Sequence, residues 1–372
     1  MRELSNLFSS TSNGFLGTLN LTIEQKTVIY EALKTIKQHL SDVIFKEYEI
    51  HPRYMTQGSA GYKTQNQPCF SSQEIDYDLG CYLPFSDIEE TGKPHRAANV
   101  FFQTVDTTLE RLAKEMHWKG TCNDKDTCCR VLLTNNIHVD IPLYSVPDKE
   151  FKTIHECCDS FRKSICSSES YDIEIDEESW EEFDYDEVLL AHRKEGWKPS
   201  DPRKINMYFR MQFEMKGEQF RRICRYLKAW RDFKWEKGGP ASIYLMCLAN
   251  DLFDAEDAFG DDIKLLEILK KMPERLESPV INRAESEELK MKHPDDLQLL
   301  IDYAKLFAQD LNKAINDTLI SDKTACCYIQ KHLGNRFPIV DSIPSKHISE
   351  KIRSTPINTG SSDMPLARVR VG

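Results

Sequence analysis

Two short segments in which apolar and polar residues alternate, and which both carry aspartates, constrain the fold of this chain most. Residues 74–82 (EIDYDLGCY) and 137–143 (IHVDIPL) have the period of two that is typical of β-strands. Side chains at positions i and i+2 of a strand point to the same face. Asp76 and Asp78 are therefore expected to lie side by side, and Asp140 on a neighbouring strand can complete a group of three carboxylates.

Three carboxylates that converge without basic partners repel one another, and a divalent metal would neutralise them. Mg²⁺ prefers such oxygen ligands, and two ions can clamp the attacking hydroxyl and the leaving phosphate of an in-line displacement. Upstream, Gly58-Ser59 would let backbone N–H groups and a hydroxyl approach a triphosphate closely. We therefore predict a site for two Mg²⁺ ions at Asp76, Asp78 and Asp140.

The alternative interpretation places Asp76 and Asp78 on the solvent face of an edge strand. A D-x-D pattern by itself favours that alternative, because so short a motif has a high false-positive risk. The order of Gly-Ser, then D-x-D, then a later strand aspartate favours the metal site instead.

Helical periodicity surrounds these strands. Residues 21–45 predict one long amphipathic helix that begins with a capping box, in which Thr22 is the N-cap and Gln25 follows three residues later. Residues 99–114 predict a second helix, and residues 129–133 predict a further strand. The first half of the chain therefore mixes helices with a sheet.

From Pro202 onward the pattern is helical throughout. The predicted helices include 218–235 and 242–253, and helical patterns continue to about residue 333. The fold class is therefore α+β, with a sheet-containing lobe, a helical lobe and an active-site cleft between them. The predicted units are a core with the long N-terminal helix at 1–215, a helical domain at 216–342 and a flexible tail at 343–372.

Charge and composition restrict the partners. The 372 residues include 49 Lys and Arg against 60 Asp and Glu, a net charge of −11, whereas proteins that grip a nucleic-acid backbone are usually basic. The acidic run 172–188 is typical of a solvated loop. The sequence contains no apolar run of about 18 residues, which a transmembrane helix needs, and it does not begin with the apolar segment of a secretory signal. Its 12 cysteines lack the C-x₂₋₄-C pairs that are typical of structural zinc sites. We expect a cytoplasmic protein with reduced thiols, no long nucleic-acid ligand and no stable membrane insertion.

In its motifs the chain resembles the bacterial cGAS/DncV-like nucleotidyltransferases, or CD-NTases. The resemblance extends from about residue 13 to 255 and rests on PRYMTQGSAGYKTQNQP, EIDYDLGCYLP, HVDIPLY, SDPRKI and CRYLKAWRDFKWEKGGPASIYLM. It implies a polymerase-β-like nucleotidyltransferase core with a mixed sheet, followed by an oligoadenylate-synthase-like helical domain. Enzymes of this family act in CBASS anti-phage operons and make cyclic di- or trinucleotide messengers that activate an effector protein.

The resemblance implies a role for each matching residue. Asp76, Asp78 and Asp140 would bind two Mg²⁺ ions, with Asp140 nearest the attacking 3′-hydroxyl. Three further sets would contact nucleotide: the donor-triphosphate loop Gln57, Gly58, Ser59 and Tyr62; the acceptor and base contacts Arg130, Ser200 and Asp201; and the triphosphate-binding pair Lys228 and Ser242. Two alternatives remain: Arg130 forms a structural salt bridge, or Lys228 is a surface lysine whose stem lies on apolar surface.

The expected activity is that of a monomeric, template-independent cyclase that joins ATP and GTP into 3′,3′-cyclic GMP-AMP and releases pyrophosphate. The alternatives are an enzyme that makes another cyclic di- or trinucleotide or a linear oligonucleotide, a transferase that modifies RNA or a drug, and a non-catalytic nucleotide sensor. The acidic net charge weighs against an RNA activator. The three aspartates weigh against a sensor, which needs no metal carboxylates.

The chain ends in RVRVG, an alternation that is typical of an extended strand entering a groove. The terminal Gly372 has no Cβ, so its carboxylate is easily approached. This end resembles the conjugatable ends of ubiquitin-like proteins, which implies an E1/E2-like partner that links Gly372 to a lysine elsewhere. The alternative is a disordered tail without a partner.

Overall fold

The computed structural model of the chain describes residues 1–84, 94–146, 188–256 and 259–344. Its first lobe is built on a mixed seven-stranded sheet, in which β2 and β5 run parallel and the other neighbours antiparallel. The order is β1-β2-β5-β4-β3, and β6 and β7 continue from β5. The strands are β1 (Arg53–Gln57), β2 (Ile75–Pro84), β3 (Gly120–Cys122), β4 (Cys128–Leu132), β5 (Ile137–Val146), β6 (Leu189–His192) and β7 (Gly196–Pro199).

The register of the central pair explains how the sheet positions the acidic residues. Asp78 of β2 lies directly opposite Asp140 of β5, and Asp76 lies opposite His138. Neighbouring strands are separated by only about 4.8 Å, so these side chains project from adjacent backbones on one face. The three predicted strands are confirmed, and the first and third extend further at their carboxyl ends than the alternation indicated.

Helices cover the sheet and form a second lobe. They are α1 (Ser5–Ser9), α2 (Phe15–Thr18), α3 (Ile23–Tyr48), α4 (Gly58–Gly61), α5 (Pro94–Glu115), α6 (Pro202–Lys234), α7 (Ser242–Leu252), α8 (Asp261–Arg275), α9 (Asp295–Asn316) and α10 (Asp322–Leu333). The predicted capping box is present at the start of α3, where Thr22 and Gln25 exchange hydrogen bonds. Leu40 of α3, Phe102 of α5 and Val139 of β5 are buried in one core, so both helices pack on the sheet.

The helical lobe has its own core, in which Phe220, Trp230 and Phe307 are fully buried. The prediction that everything after Pro202 is helical is wrong in one place. Strands β8 (Val280–Asn282) and β9 (Glu287–Leu289) form an antiparallel hairpin between α8 and α9. These strands have three residues each, too few for alternation to be recognised in the sequence.

The N-terminal residues correct the predicted domain boundary. Leu4, Phe8 and Phe15 are buried in the core of the helical lobe, although residues 1–215 were expected to form the other unit. The rings of Phe8 and Phe337 lie 4.9 Å apart, and the Leu4 N–H donates to the Asp262 carboxylate over 2.9 Å. Residues 1–20 therefore pack with the helical lobe because their apolar side chains have partners there.

Helix α6 also begins earlier than the predicted start at residue 218. The Asp201 carboxylate accepts from the Arg203 N–H as the N-cap, and Pro202 occupies the first helical position, where its missing N–H costs nothing. Gly217 interrupts the helix with φ of 79° and ψ of 173°. Two helical segments thus meet at Gly217, and periodicity detected only the second.

Some predictions lie outside the described residues. They include almost all of the acidic run, residues 172–187, and the end of the tail with Gly372. The conjugation of Gly372 stays a prediction. Within the described part of the chain, none of the helices combines the length and apolar character needed to cross a membrane.

Candidate active site

A cleft of about 480 Å³ lies between the two lobes. One wall comes from the sheet lobe and carries Asp76 and Asp78. The opposite wall comes from α6 and the start of α7, with Lys228 and Arg231 on the first and Ser242 on the second. The cleft therefore combines carboxylates on one side with cationic side chains on the other, which is the arrangement that a metal-bound triphosphate requires.

The carboxylates on β2 and β5 differ in their surroundings, and Asp140 is not among the described residues that line the cleft. The Asp76 side chain is about half exposed (48%), whereas that of Asp140 is 3% exposed. Burial raises the pKa of Asp78 to about 7, and the negative charges of Asp76 and Asp140 add to this shift. A positive ion in the cleft would remove this repulsion, as expected for a metal-binding group.

Asp140 has two basic partners, contrary to the expectation that the carboxylates converge without them. Arg130 lies opposite Asp140 on β4, and its Nε and Nη2 donate to the two carboxylate oxygens over 2.5 and 2.8 Å. The Lys125 ammonium donates to Asp140 Oδ2 over 2.5 Å. Burial opposes ionisation of Asp140, but these hydrogen bonds hold its pKa below the usual value. The structure thus gives Arg130 the salt bridge that was the alternative, and its contact with an acceptor nucleotide stays a prediction.

Lys125 was missed by sequence reasoning because it belongs to the segment that connects β3 and β4. That segment is held by Arg193, whose Nε donates to the Lys125 carbonyl over 3.1 Å and whose N–H donates to the Asp126 carbonyl over 2.8 Å. Arg193 is itself paired with Asp106 over 2.7 Å. No local pattern signals this arrangement, since the residues involved lie far apart in the chain.

His138 was also missed, although a signal existed. It precedes Asp140 by two residues on β5, and residues at that spacing share a face. Among the described residues, Asp76, His138 and Asp140 form a group that could hold a metal ion, because their ligand atoms lie within 4.8 Å of one another. His138 completes this group, and Asp78, which lines the cleft together with Asp76, stays a predicted metal ligand.

The turn that follows β1 brings backbone close to Asp78. Gly58 has a φ of +59°, and a Cβ at this position would lie 2.2 Å from Asp78 Oδ2. Ser59 and Tyr62 follow in the same turn and line the cleft. A close approach therefore explains glycine at position 58, but the approaching group is the Asp78 carboxylate, and the approach of a triphosphate stays a prediction.

Gln57 does not line the cleft, contrary to the prediction. Its side chain is buried, its Nε2 donates to the Tyr82 hydroxyl over 2.8 Å, and its Oε1 accepts from the Tyr144 hydroxyl over 3.2 Å. The two tyrosine rings stack with centroids 4.7 Å apart. Gln57 thus anchors the end of β1 within the sheet lobe, because its amide meets the hydrogen-bonding needs of two buried hydroxyls.

Lys228 is not the surface lysine of the alternative interpretation. It is buried in α6, where its ammonium donates to the Thr64 carbonyl over 2.6 Å, and burial lowers its pKa to about 8. Ser242 begins α7, and its hydroxyl accepts from Arg231 Nη2 over 3.0 Å. Both predicted residues of the helical lobe face the cleft, and Arg231 joins them.

Ser200 and Asp201 are absent from the described residues that line the cleft. The Asp201 side chain is 4% exposed and pairs with Arg203, whose Nε and Nη2 both donate to it over 2.8 Å. A buried carboxylate that already caps a helix and pairs with arginine has no oxygen free for a guanine edge. The structure therefore corrects the predicted base contact of Asp201 and gives it a structural role.

Models of two families match parts of the two lobes. The model of the family "Cyclic GMP-AMP synthase DncV-like, nucleotidyltransferase domain" matches residues 52–144, and that of "Cyclic GMP-AMP synthase, C-terminal domain" matches residues 217–346. A cyclic GMP-AMP synthase of Escherichia coli is 34% identical over 58% of this chain and 50% of its own length. One of Vibrio cholerae is 33% identical over 65% of this chain and 57% of its own length. The chain spans about half the length of the curated relatives it matches.

Solved structures agree with the fold. A mutant of the Vibrio cholerae di-nucleotide cyclase DncV superposes with a TM-score of 0.75 at 24% identity, covering 92% of this chain and 99% of the other. The same enzyme with the linear intermediate 5′ pppA(3′,5′)pG gives a TM-score of 0.74 at 24% identity, with coverage of 92% and 99%. The predicted α+β fold, with a nucleotidyltransferase core and a helical domain, is confirmed.

Proposed function

Since the chain carries the nucleotidyltransferase domain and the C-terminal domain of the DncV-like cyclic GMP-AMP synthases, we propose that it joins ATP and GTP into 3′,3′-cyclic GMP-AMP. One observation carries the proposal: a single cleft has Asp76 and Asp78 on one wall and the buried ammonium of Lys228 on the other. Carboxylates attract metal ions, and ammonium and guanidinium groups attract phosphate. The cleft therefore suits a nucleoside triphosphate bound through a metal.

The residues of the site fit Mg²⁺. Nucleotidyltransferases of this fold use divalent metal, and Asp76, Asp78 and Asp140 offer the oxygen ligands that Mg²⁺ prefers. Two Mg²⁺ ions would supply charge neutralisation for the attacking hydroxyl and the leaving pyrophosphate. Burial is the main cause of the raised pKa of Asp78, and the charges of Asp76 and Asp140 add to it, so a metal ion would stabilise the ionised carboxylate.

Each proposed step exchanges one bond for another. The 3′-oxygen of one nucleotide forms a bond to the α-phosphorus of the other, the bond from that phosphorus to pyrophosphate breaks, and the hydroxyl proton passes to solvent. Lys228, Arg231 and Ser242 hold the donor triphosphate, while the turn at Ser59 lies next to it. The linear product then turns round, and a second identical displacement closes the ring. The protein mainly positions the reactants and neutralises charge.

The choice of ATP and GTP rests on the relatives, which are named cyclic GMP-AMP synthases. The resemblance further supports a role of the product as a messenger for a separate effector protein in a CBASS system. The acidic net charge of −11 agrees with a small substrate rather than a long nucleic acid.

The test is to incubate the purified chain with Mg²⁺ and all four nucleoside triphosphates, singly and in pairs, and to identify products by mass and nuclease sensitivity. ATP with GTP is expected to give a cyclic product with two 3′,5′ linkages, and pyrophosphate in a ratio of two per ring. A linear oligonucleotide, or efficient synthesis from pyrimidine nucleotides alone, would contradict the proposal. Tight binding without turnover would instead indicate a sensor.

The buried Lys228 predicts an unusual pH dependence. Because the pKa of its ammonium in the empty cleft is about 8, the cation is present below that pH and is lost above it. Affinity for a non-hydrolysable ATP is therefore expected to fall as the pH rises through about 8, well below the usual lysine value of about 10.4. Replacement of Lys228 by Met should weaken binding about 10- to 100-fold at neutral pH, as for loss of a charge-assisted hydrogen bond.

Titration calorimetry at several pH values checks this prediction. Lys228→Met is expected to bind with a nearly flat pH profile. The matched control is Lys237→Met, which removes an exposed lysine close to the cleft and should leave both affinity and pH profile unchanged. Equal pH profiles for the wild type and Lys228→Met would show that another group sets the dependence.

A further inference from the structure

A buried imidazole lies next to the carboxylates of Asp76 and Asp140 and has no assigned role. His138 is opposite Asp76 in the β2–β5 pair and two residues before Asp140 on β5. Its side chain is 5% exposed. An isolated imidazole needs hydrogen-bond partners or a metal when it is buried.

The two ring nitrogens of His138 lack conventional partners. Among the described residues, neither nitrogen makes a hydrogen bond of acceptable geometry. Nevertheless, Nε2 lies 2.8 Å from Asp76 Oδ1 and 4.0 Å from Asp140 Oδ1. The carboxylate oxygens are thus close to Nε2 but off the direction in which it would donate. A buried nitrogen without a hydrogen bond calls for another partner, and an ion shared with these oxygens would supply it.

The spacing of these atoms agrees with a metal polyhedron. With metal–ligand bonds of about 2.1 Å, adjacent ligand atoms of an octahedron are about 3.0 Å apart and opposite ones about 4.2 Å apart. The distances of 2.8 and 4.0 Å from Nε2 correspond to an adjacent and an opposite oxygen. Asp76 and His138 therefore stand near the positions that an ion would require, and Asp140 would share its carboxylate between the ion and Arg130.

The other ring nitrogen has the environment that supports metal ligation. Nδ1 of His138 lies 3.2 Å from Glu74 Oε2. Metal-binding histidines usually direct their second ring nitrogen to a carboxylate, which fixes the ring and raises its basicity as a ligand. A proton on Nδ1, next to Glu74, would leave the Nε2 lone pair available on the side of Asp76.

We propose that His138 Nε2, together with the carboxylates of Asp76 and Asp140, binds a first-row transition-metal dication such as Mn²⁺. The inference deepens the proposed function, since the same aspartates serve the metal-dependent transfer. An imidazole ligand favours transition metals, whereas sites made only of carboxylates and water suit Mg²⁺. The chain is therefore expected to bind Mn²⁺ at least about tenfold more tightly than Mg²⁺, and Co²⁺ more tightly than Mn²⁺.

The decisive measurement is pulsed electron paramagnetic resonance on the full chain with one equivalent of Mn²⁺ and no nucleotide. The spectrum is expected to contain a ¹⁴N modulation from a coordinated imidazole. In His138→Gln, an amide oxygen replaces the nitrogen, so the modulation should disappear and the preference for Mn²⁺ over Mg²⁺ in titration calorimetry should fall about tenfold. The control is His192→Gln, whose imidazole lies on β6 beside Glu195 and whose loss should leave the modulation intact.

Two outcomes would overturn the inference: absence of ¹⁴N modulation in the wild-type chain, or its persistence in His138→Gln. Circular dichroism of His138→Gln and the affinity of this variant for Mg²⁺ report whether the site is still folded. Product formation with Mg²⁺, ATP and GTP is measured on the same samples. Cyclic product without a nitrogen ligand would contradict only the role of His138, whereas a nitrogen ligand without product would contradict only the proposed function.

Discussion

Replacement of both Asp76 and Asp78 by Asn is expected to lower product formation by at least about a thousandfold, because the metal ions would lose two charged ligands. Both side chains belong to the cleft, and Asp76 is half exposed, so neither fills a core position that packing requires. The double variant should therefore fold, and it should elute from a size-exclusion column at the same volume as the wild type. Product is measured by mass spectrometry after incubation with Mg²⁺, ATP and GTP.

Asp78 by itself predicts a gain in stability on mutation that depends on pH. In the metal-free protein the pKa of Asp78 is about 7, above the value of about 3.9 in an unfolded chain. The folded state therefore binds this proton more tightly, and ionisation of Asp78 costs stability as the pH rises from about 4 through 7. Asp78→Asn should raise the melting temperature at pH values above about 7 and give no such gain near pH 4.

Thermal unfolding with a chelator present tests this, with Asp302→Asn as the control. Asp302 is an exposed aspartate of α9 outside the cleft, and its loss should change neither activity nor the pH dependence of stability.

A double variant of Asp76 and Asp78 that still makes product would disprove the assignment of these residues. A gain in melting temperature that is equal at low and high pH would disprove the raised pKa of Asp78.

Gly58→Ala is expected to lower activity about a hundredfold, which is the typical cost of moving a catalytic group by about 1 Å. The new methyl group would lie 2.2 Å from Asp78 Oδ2, so the carboxylate would have to leave its position. Alanine is also strained at the φ of +59° that this residue adopts. Activity with Mg²⁺ and metal affinity should fall together, because the displaced group is a proposed metal ligand.

Gly217→Ala separates the displacement of Asp78 from backbone strain. Gly217 has a similar φ of +79°, but nothing lies within 4 Å of a Cβ at that position. Each alanine variant should lose about 1–3 kcal/mol of unfolding free energy from backbone strain alone. Only Gly58→Ala should lose Mg²⁺-dependent activity. Equal activities for the two variants would show that the close approach of Gly58 to Asp78 has no catalytic importance.

The sequence was sufficient for features that depend on neighbouring residues. The alternation around Asp76 and Asp140 predicted β2 and β5, and the Thr22–Gln25 capping box predicted the start of α3. These signals are reliable because a strand period, a helix period and a cap are properties of residues a few positions apart.

The partners of each functional group were decided only by the tertiary structure. Strand register brought Arg130 opposite Asp140, and a loop held by Arg193 brought Lys125 to the same carboxylate. Packing turned Gln57 toward buried tyrosines and joined residues 1–20 to the helical lobe. A sequence pattern specifies which face a side chain occupies, but the neighbour it meets there comes from a distant segment. That choice depends on register, burial and charge in the assembled fold.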